Sequence, residues 1–414
     1  MSTPKPTSRN HLIDLARVAS MAIVVTFHTL LYVVVVRDGV PEVIPWAPGP
    51  VAWGLSWVLA IIPVFFVAAG YANTVVVDRS RREAQHYPGY LAGRVRRLLG
   101  PITLFCGVFT VASTVPAWLG FLPDALALSP RFAQLFWFLV VYLGLLAAAP
   151  VLVAAHDRFG GWAMAPFVVA AVLVDVLARC GGLGELQWLN LAFVWPLAHQ
   201  WGIAYRRGWF STWPGPALIG GVAACGVLIA GLVFGLGYPP AAVAWADVLV
   251  ANLQPPTVAV LVMGFAQTCV IGLLDRLGVA RTLSERAARG VAVANALLFS
   301  VYLWHIPLIV AAAGLLVGLT LAFPGVAAVA LSSVVWLALT WSLVVLVVPP
   351  IARLEQRLSP APGSRAGWPS VVAFGALVVG LFAQWQFGAV LHPAAPAACV
   401  ATLTLAAGLV CVRR

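Results

Sequence analysis

The chain has 414 residues, 62% of them hydrophobic and only 9% charged, and its mean hydropathy is +0.98. Soluble domains carry roughly a quarter of their residues as charged side chains, so this composition excludes an ordinary water-facing fold. The net charge of +11 calls first for a topological account, because cytoplasmic loops of membrane proteins collect Lys and Arg.

Apolar runs occupy 15–36, 51–77, 98–119, 132–154, 161–178, 187–205, 214–236, 249–274, 291–315, 320–348, 368–389 and 393–412. Crossing the hydrocarbon takes about twenty apolar residues. The runs are continuous rather than alternating, which selects helices over barrel strands. The expected fold is all-α, a polytopic membrane helix bundle of about 12 transmembrane helices. The first run is too long for a signal peptide and ends in no small-residue cleavage site. Asp175, Arg179, Glu185, Gln187 and Asn190 crowd the junction of the fifth and sixth runs, and Pro324 interrupts the start of the tenth. Gln254-Pro255-Pro256-Thr257 breaks the eighth near its outer end, either as a proline kink or as the lining of a cleft. With the amino terminus inside, only Arg37, Arg131 and Arg179 of the 24 basic residues fall outside. Both the N and C termini are therefore expected in the cytoplasm.

The same composition removes several functions. The basic charge follows the topology, helped by anionic lipid, so no nucleic-acid partner is expected. Cys106, Cys180, Cys225, Cys269, Cys399 and Cys411 stand singly without metal-ligand spacing, so no metal is expected. The chain holds no Gly-x-Ser-x-Gly, no His-Glu-x-x-His and no phosphate-binding Gly-rich loop. The His-x-x-x-x-Asp motif of glycerolipid acyltransferases is also missing, since Val33 and Val310 follow His28 and His305 at that spacing. Arginine far outnumbers lysine, and alanine and valine abound. That usage fits a GC-rich bacterial genome, so the cytoplasmic (inner) membrane of a bacterium is the expected location.

Titratable groups inside a span mark function, because the bilayer makes them costly. Arg17 and His28 lie on the first run, about three helical turns apart on one face and roughly 16 Å apart along the axis. A cation at the cytoplasmic rim and an imidazole deeper on the same stripe suit a long ligand with an anionic head and a reactive tail. The same pair also suits a topology anchor and a hydrogen-bonded core histidine. His305 lies at a depth matched to His28 within about one turn. His199, beside Gln200 and capped by Arg206 and Arg207, reads as packing and topology.

Further segments join this stripe in order. Asp14-Leu15-Ala16-Arg17 and Thr26-Phe27-His28 frame it, and Phe65-Phe66-Val67-Ala68-Ala69-Gly70-Tyr71 fills the second run. Arg94, Arg97 and Pro101 open the third, Phe136-Trp137-Phe138-Leu139 with Tyr142 begins the fourth, and Ser300-Val301-Tyr302-Leu303-Trp304-His305 lies late in the ninth. Taken together, they resemble the acyltransferase 3 family of integral membrane acyltransferases, from about residue 10 to about residue 350. Ala69 stands where the family often has serine. The family's usual core has ten helices, so residues 1–350 correspond to it and 351–414 to an additional C-terminal transmembrane hairpin. No hydrolase-like domain is expected after Arg414.

The resemblance implies transfer of an acyl group, often acetyl, from an acyl-CoA co-substrate to a hydroxyl, with no bound cofactor. His28 would be the base, because a neutral imidazole accepts a proton near neutral pH. Arg17, Arg94 and Arg97 would hold the donor's phosphates with their planar forks. His305 is the second catalytic candidate. Ser300 and Tyr302 would orient the acceptor or stabilise the oxyanion, or else supply interhelical hydrogen bonds. Trp137, Tyr142 and Gln254 would line or support the acceptor site, although Trp137 also fits the interfacial aromatic belt. The acceptor would be a cell-envelope glycan or a secreted glycosylated small molecule.

The alternative is a secondary transporter of the major facilitator type, which fits the span count and Asp78-Arg79-Ser80-Arg81-Arg82 after the second run. Against it stand the apparent length of the polar 78–97 loop and the absence of any repetition between the two halves of the sequence.

Overall fold

The structure, a computed structural model, describes residues 10–37, 40–118, 136–359 and 367–387. The first helix, α1 (His11–Leu30), starts where the Asn10 side chain accepts from the amides of Leu12 and Ile13 at 3.0 and 3.2 Å, satisfying orphan donors of the first turn. It stops short of the expected end. Tyr32–Arg37 instead forms a strand, β1, paired with β2 (Val40–Pro45). Four consecutive valines favour a pleated surface over a helix, where their branched Cβ atoms crowd the preceding turn.

The second run divides into α2 (Pro50–Leu59) and α3 (Ile62–Arg82). Only Glu83–His86 separates α3 from α4 (Tyr87–Trp118). The 78–97 segment read as a loop is thus mostly helix, and its apparent length is no argument against a transporter. The fourth and fifth runs form one helical stretch, α5 (Phe136–Phe159), a 3-10 turn (Gly160–Met164) and α6 (Ala165–Cys180). A 3-10 segment (Gly184–Ala192) leads to α7 (Val194–Arg206), followed by α8 (Gly215–Ala230).

The eighth run begins later than expected, at α9 (Val258–Arg276), because Thr257 caps it by accepting from the Ala259 amide at 3.2 Å. Gln254 therefore sits exposed in the loop before α9, not inside a span. The chain continues through α10 (Glu285–Ala322), α11 (Ser333–Leu358) and α12 (Trp368–Phe387).

Eight helical stretches among the described residues are long and apolar enough to cross a membrane, so the chain is a multi-pass helical membrane protein. The 393–412 run, with the second arm of the C-terminal hairpin, lies outside the described residues, as do Arg131, Arg413 and Arg414.

The chain folds into two compact units. One gathers residues through Val24, Pro45–Val75 and Ala149–Leu298; the other gathers Val25–Ile44, Val76–Ala148 and residues from Phe299 onward.

In the first unit, α3 and α7 cross at two glycines. A Cβ on Gly70 would meet the carbonyl of His199, and one on Gly202 would meet the carbonyl of Val67. Gly70 stands next to last in the Phe65–Tyr71 motif of the second run, and its function there is this close approach. Gly70→Val should therefore lower stability by about 1–3 kcal/mol, the usual cost of overpacking, measured as a drop in the melting temperature of the detergent-solubilised protein. A melting temperature equal to wild type would mean the helices separate freely. At the same crossing, the His199 Nε2 pairs with the Asn73 amide nitrogen at 3.2 Å, in keeping with a packing role.

The crowded junction after α6 is a buried hub. Asp175, 1% exposed, accepts from Gln187 at 2.6 Å, Asn190 at 2.7 Å, and the Tyr238 hydroxyl and Val258 amide at 2.8 Å each. Burial, then the Asp175 charge, pushes the Tyr238 phenol above its ordinary range, so it remains a donor. Four donors offset the cost of burying the carboxylate.

In the second unit, α4 packs against both α11 and α12. Val34 of β1 joins a core with Ile309, Ala312, Leu316 and Trp336.

Candidate active site

The second unit brings two of the expected residues together. His28, near the end of α1, and His305, on α10, place their ring centroids 5.1 Å apart with a 52° tilt. His28 is partly buried, whereas His305 is 0% exposed. The His305 Nδ1 lies 2.7 Å from the backbone carbonyl of Tyr302. A carbonyl only accepts, so Nδ1 carries the proton and the neutral ring leaves Nε2 as a lone pair. That Nε2 is buried and has no hydrogen-bond partner among the described residues. A buried acceptor without a donor is costly.

Aromatic rings extend from this pair. The Tyr302 ring lies 6.2 Å from His305 and 5.3 Å from Phe138 of α5. Tyr142 stacks on Phe138 at 6.3 Å, and the buried Trp137 meets Phe138 edge-on at 6.0 Å. Phe105 and Phe109 of α4 flank Trp304 at 5.3 and 6.4 Å.

The expected donor-binding arginines have different settings. Arg94 is partly buried on α4, its guanidinium 5.4 Å from the Tyr90 ring centre, with Nη2 buried and unpartnered among the described residues. The Tyr90 hydroxyl donates to the Leu146 carbonyl at 2.8 Å, fixing that ring between α4 and α5. Arg97, one turn on, is exposed. Arg17 is partly buried on α1, within the first unit, as is the loop that carries Gln254.

Of the two roles expected for Ser300, the structure shows the interhelical hydrogen bond. Its hydroxyl donates to Oε2 of Glu355 on α11, and Trp304 Nε1 donates to Oε1 of the same carboxylate at 2.9 Å. Glu355 is 2% exposed. A Cβ on Gly100 would collide with the Glu355 carbonyl, so α4 and α11 approach closely at that point.

Sequence reasoning missed Glu355 because it stands between Arg353 and Arg357 and reads as part of a basic cytoplasmic end. It also missed Trp341, whose Nε1 donates to Thr26 Oγ1 at 3.2 Å, and Asn295, which donates to Asp14 at 2.8 Å. Both partners belong to the motif around Arg17 and His28, where polar residues within apolar helices were the available signal.

Compared with known families, residues 10–348 match the family model Acyl_transf_3, described as an acyltransferase domain. No curated protein and no solved structure matches the chain.

Proposed function

Because the chain belongs to the acyltransferase 3 family of membrane acyltransferases, we propose that it moves an acetyl group from acetyl-coenzyme A to a hydroxyl. The acceptor is a sugar of the cell envelope or a secreted glycosylated small molecule, and the setting is a bacterial cytoplasmic membrane. The observation that carries this reading is the imidazole pair, in which His305 keeps a buried Nε2 without a partner among the described residues.

His28, the less buried ring, takes the hydroxyl proton as the acceptor oxygen attacks the thioester carbonyl. The tetrahedral adduct collapses with cleavage of the carbon–sulfur bond, and the departing thiolate takes the proton back from the imidazolium. The products are an ester and free coenzyme A, and the histidine returns to its neutral state. His305, its Nδ1 proton held on Tyr302, leaves Nε2 open to accept the N–H of the protonated His28 during transfer, the logic of an oriented base. Arg94 offers a buried donor without a partner, which suits an anionic phosphate oxygen. Arg97 adds a second cation for the same donor. The facilitator-type transporter gives way to family membership.

The test is release of free thiol by the purified protein with acetyl-coenzyme A and a panel of envelope sugars. Arg94→Ala should raise the donor KM by about tenfold or more, the worth of a charge-assisted hydrogen bond. No thiol release and no donor binding by wild type, across several acyl lengths, would overturn the coenzyme A reading and leave another acyl donor.

A further inference from the structure

The rings around the imidazole pair limit what can approach it, and this inference rests on the acyl-transfer reading above. The His305 ring neighbours His28 at 5.1 Å and Tyr302 at 6.2 Å, ring centre to ring centre. Phe138 comes within 5.3 Å of Tyr302, and Phe299 stacks on Tyr302 at 6.4 Å. Carbon atoms pack at about 3.5–4.0 Å, so a methylene chain threaded between two rings needs roughly 7–8 Å between them. Phe138 and Tyr302, which meet from α5 and α10, are closer than that; Phe299, Tyr302 and His305 are neighbours three residues apart along α10. A tail that runs between Phe138 and Tyr302 must displace an aromatic side chain. Close-packed interiors resist such displacement.

We propose that Tyr302 and Phe138 form an acyl-length gate, confining the transferred group to about two carbons by excluding longer chains from the His28–His305 pair. Phe138 is the residue that sets the limit. It reaches in from α5, a different helix from His305, and is only partly buried. Truncating it therefore opens space beside Tyr302 without touching the bond that fixes the His305 tautomer. Tyr302 cannot be shortened as cleanly, because it lies one turn from His305 on α10 and supplies the carbonyl that holds Nδ1.

The experiment compares acetyl-, butyryl-, hexanoyl- and octanoyl-coenzyme A as donors for wild type, Phe138→Ala and Phe138→Leu, by thiol release from the purified full-length protein. Wild type should prefer acetyl over hexanoyl by about tenfold or more in kcat/KM, and Phe138→Ala should raise the hexanoyl-to-acetyl ratio by a similar factor, the discrimination a hydrophobic pocket supplies. Phe138→Leu should fall between them and carries the test if the alanine variant does not fold. Equal use of hexanoyl by wild type, or a ratio unmoved in a folded Phe138 variant, would overturn the gate alone. Failure of wild type to use any thioester would overturn the donor reading and the gate with it.

Discussion

His28→Ala should lose about 10²–10⁴-fold in acyl transfer, the usual contribution of a general base, while the folded protein remains in normal yield. His305→Ala should lose activity as well, and the two glutamine variants separate the roles. A glutamine side-chain oxygen stands near the place of Nε2 and accepts a hydrogen bond, yet it cannot carry a proton through the reaction. His305→Gln should therefore recover part of the loss seen in His305→Ala, because orientation survives. His28→Gln should not recover. The reverse pattern, with His28→Gln active and His305→Gln inactive, would make the buried Nε2 of His305 the base and His28 its support. Near-wild-type transfer by both alanine variants would remove the imidazole pair from the chemistry.

Much of the helical architecture was legible because a bilayer demands long continuous apolar runs: α8 and α12 fall close to where hydropathy put them, and α10 spans the whole of its run. What hydropathy cannot see is backbone preference inside an apolar run. Residues 32–37 are as apolar as the helix before them, but their valines pair as a strand. Nor can it see which polar residues share one partner. Asp175, Gln187 and Asn190 crowd a junction between two runs, and there Gln187 and Asn190 converge on the Asp175 carboxylate. The matched depths of His28 and His305 were readable from helix rise alone, and their rings do meet. Ser300 was readable as a polar residue near His305, but its partner was not. The interaction with Glu355 spans 55 residues, and nothing local in the sequence points from one to the other.

That partner makes the second large prediction. Glu355→Ala should lower kcat by about tenfold or more while leaving the donor KM near wild type, because the carboxylate acts on α10 and not on the donor. Two buried donors, Ser300 Oγ and Trp304 Nε1, would lose their acceptor at about 1–3 kcal/mol each. Trp304 is the residue before His305, so a shift of its indole between Phe105 and Phe109 turns the histidine away from His28. Glu355→Gln keeps an oxygen for Trp304 and an amide for Ser300, and should restore most of the rate. A purely structural role would reduce the amount of folded protein without separating kcat from KM per folded molecule. Unchanged kcat in folded Glu355→Ala would remove the positioning role. Ser300→Ala provides the cross-check. If Ser300 serves Glu355, its loss should reproduce a milder form of the Glu355→Ala defect, whereas a serine that held the acceptor would raise the acceptor KM and leave the Glu355 variants unrelated to it.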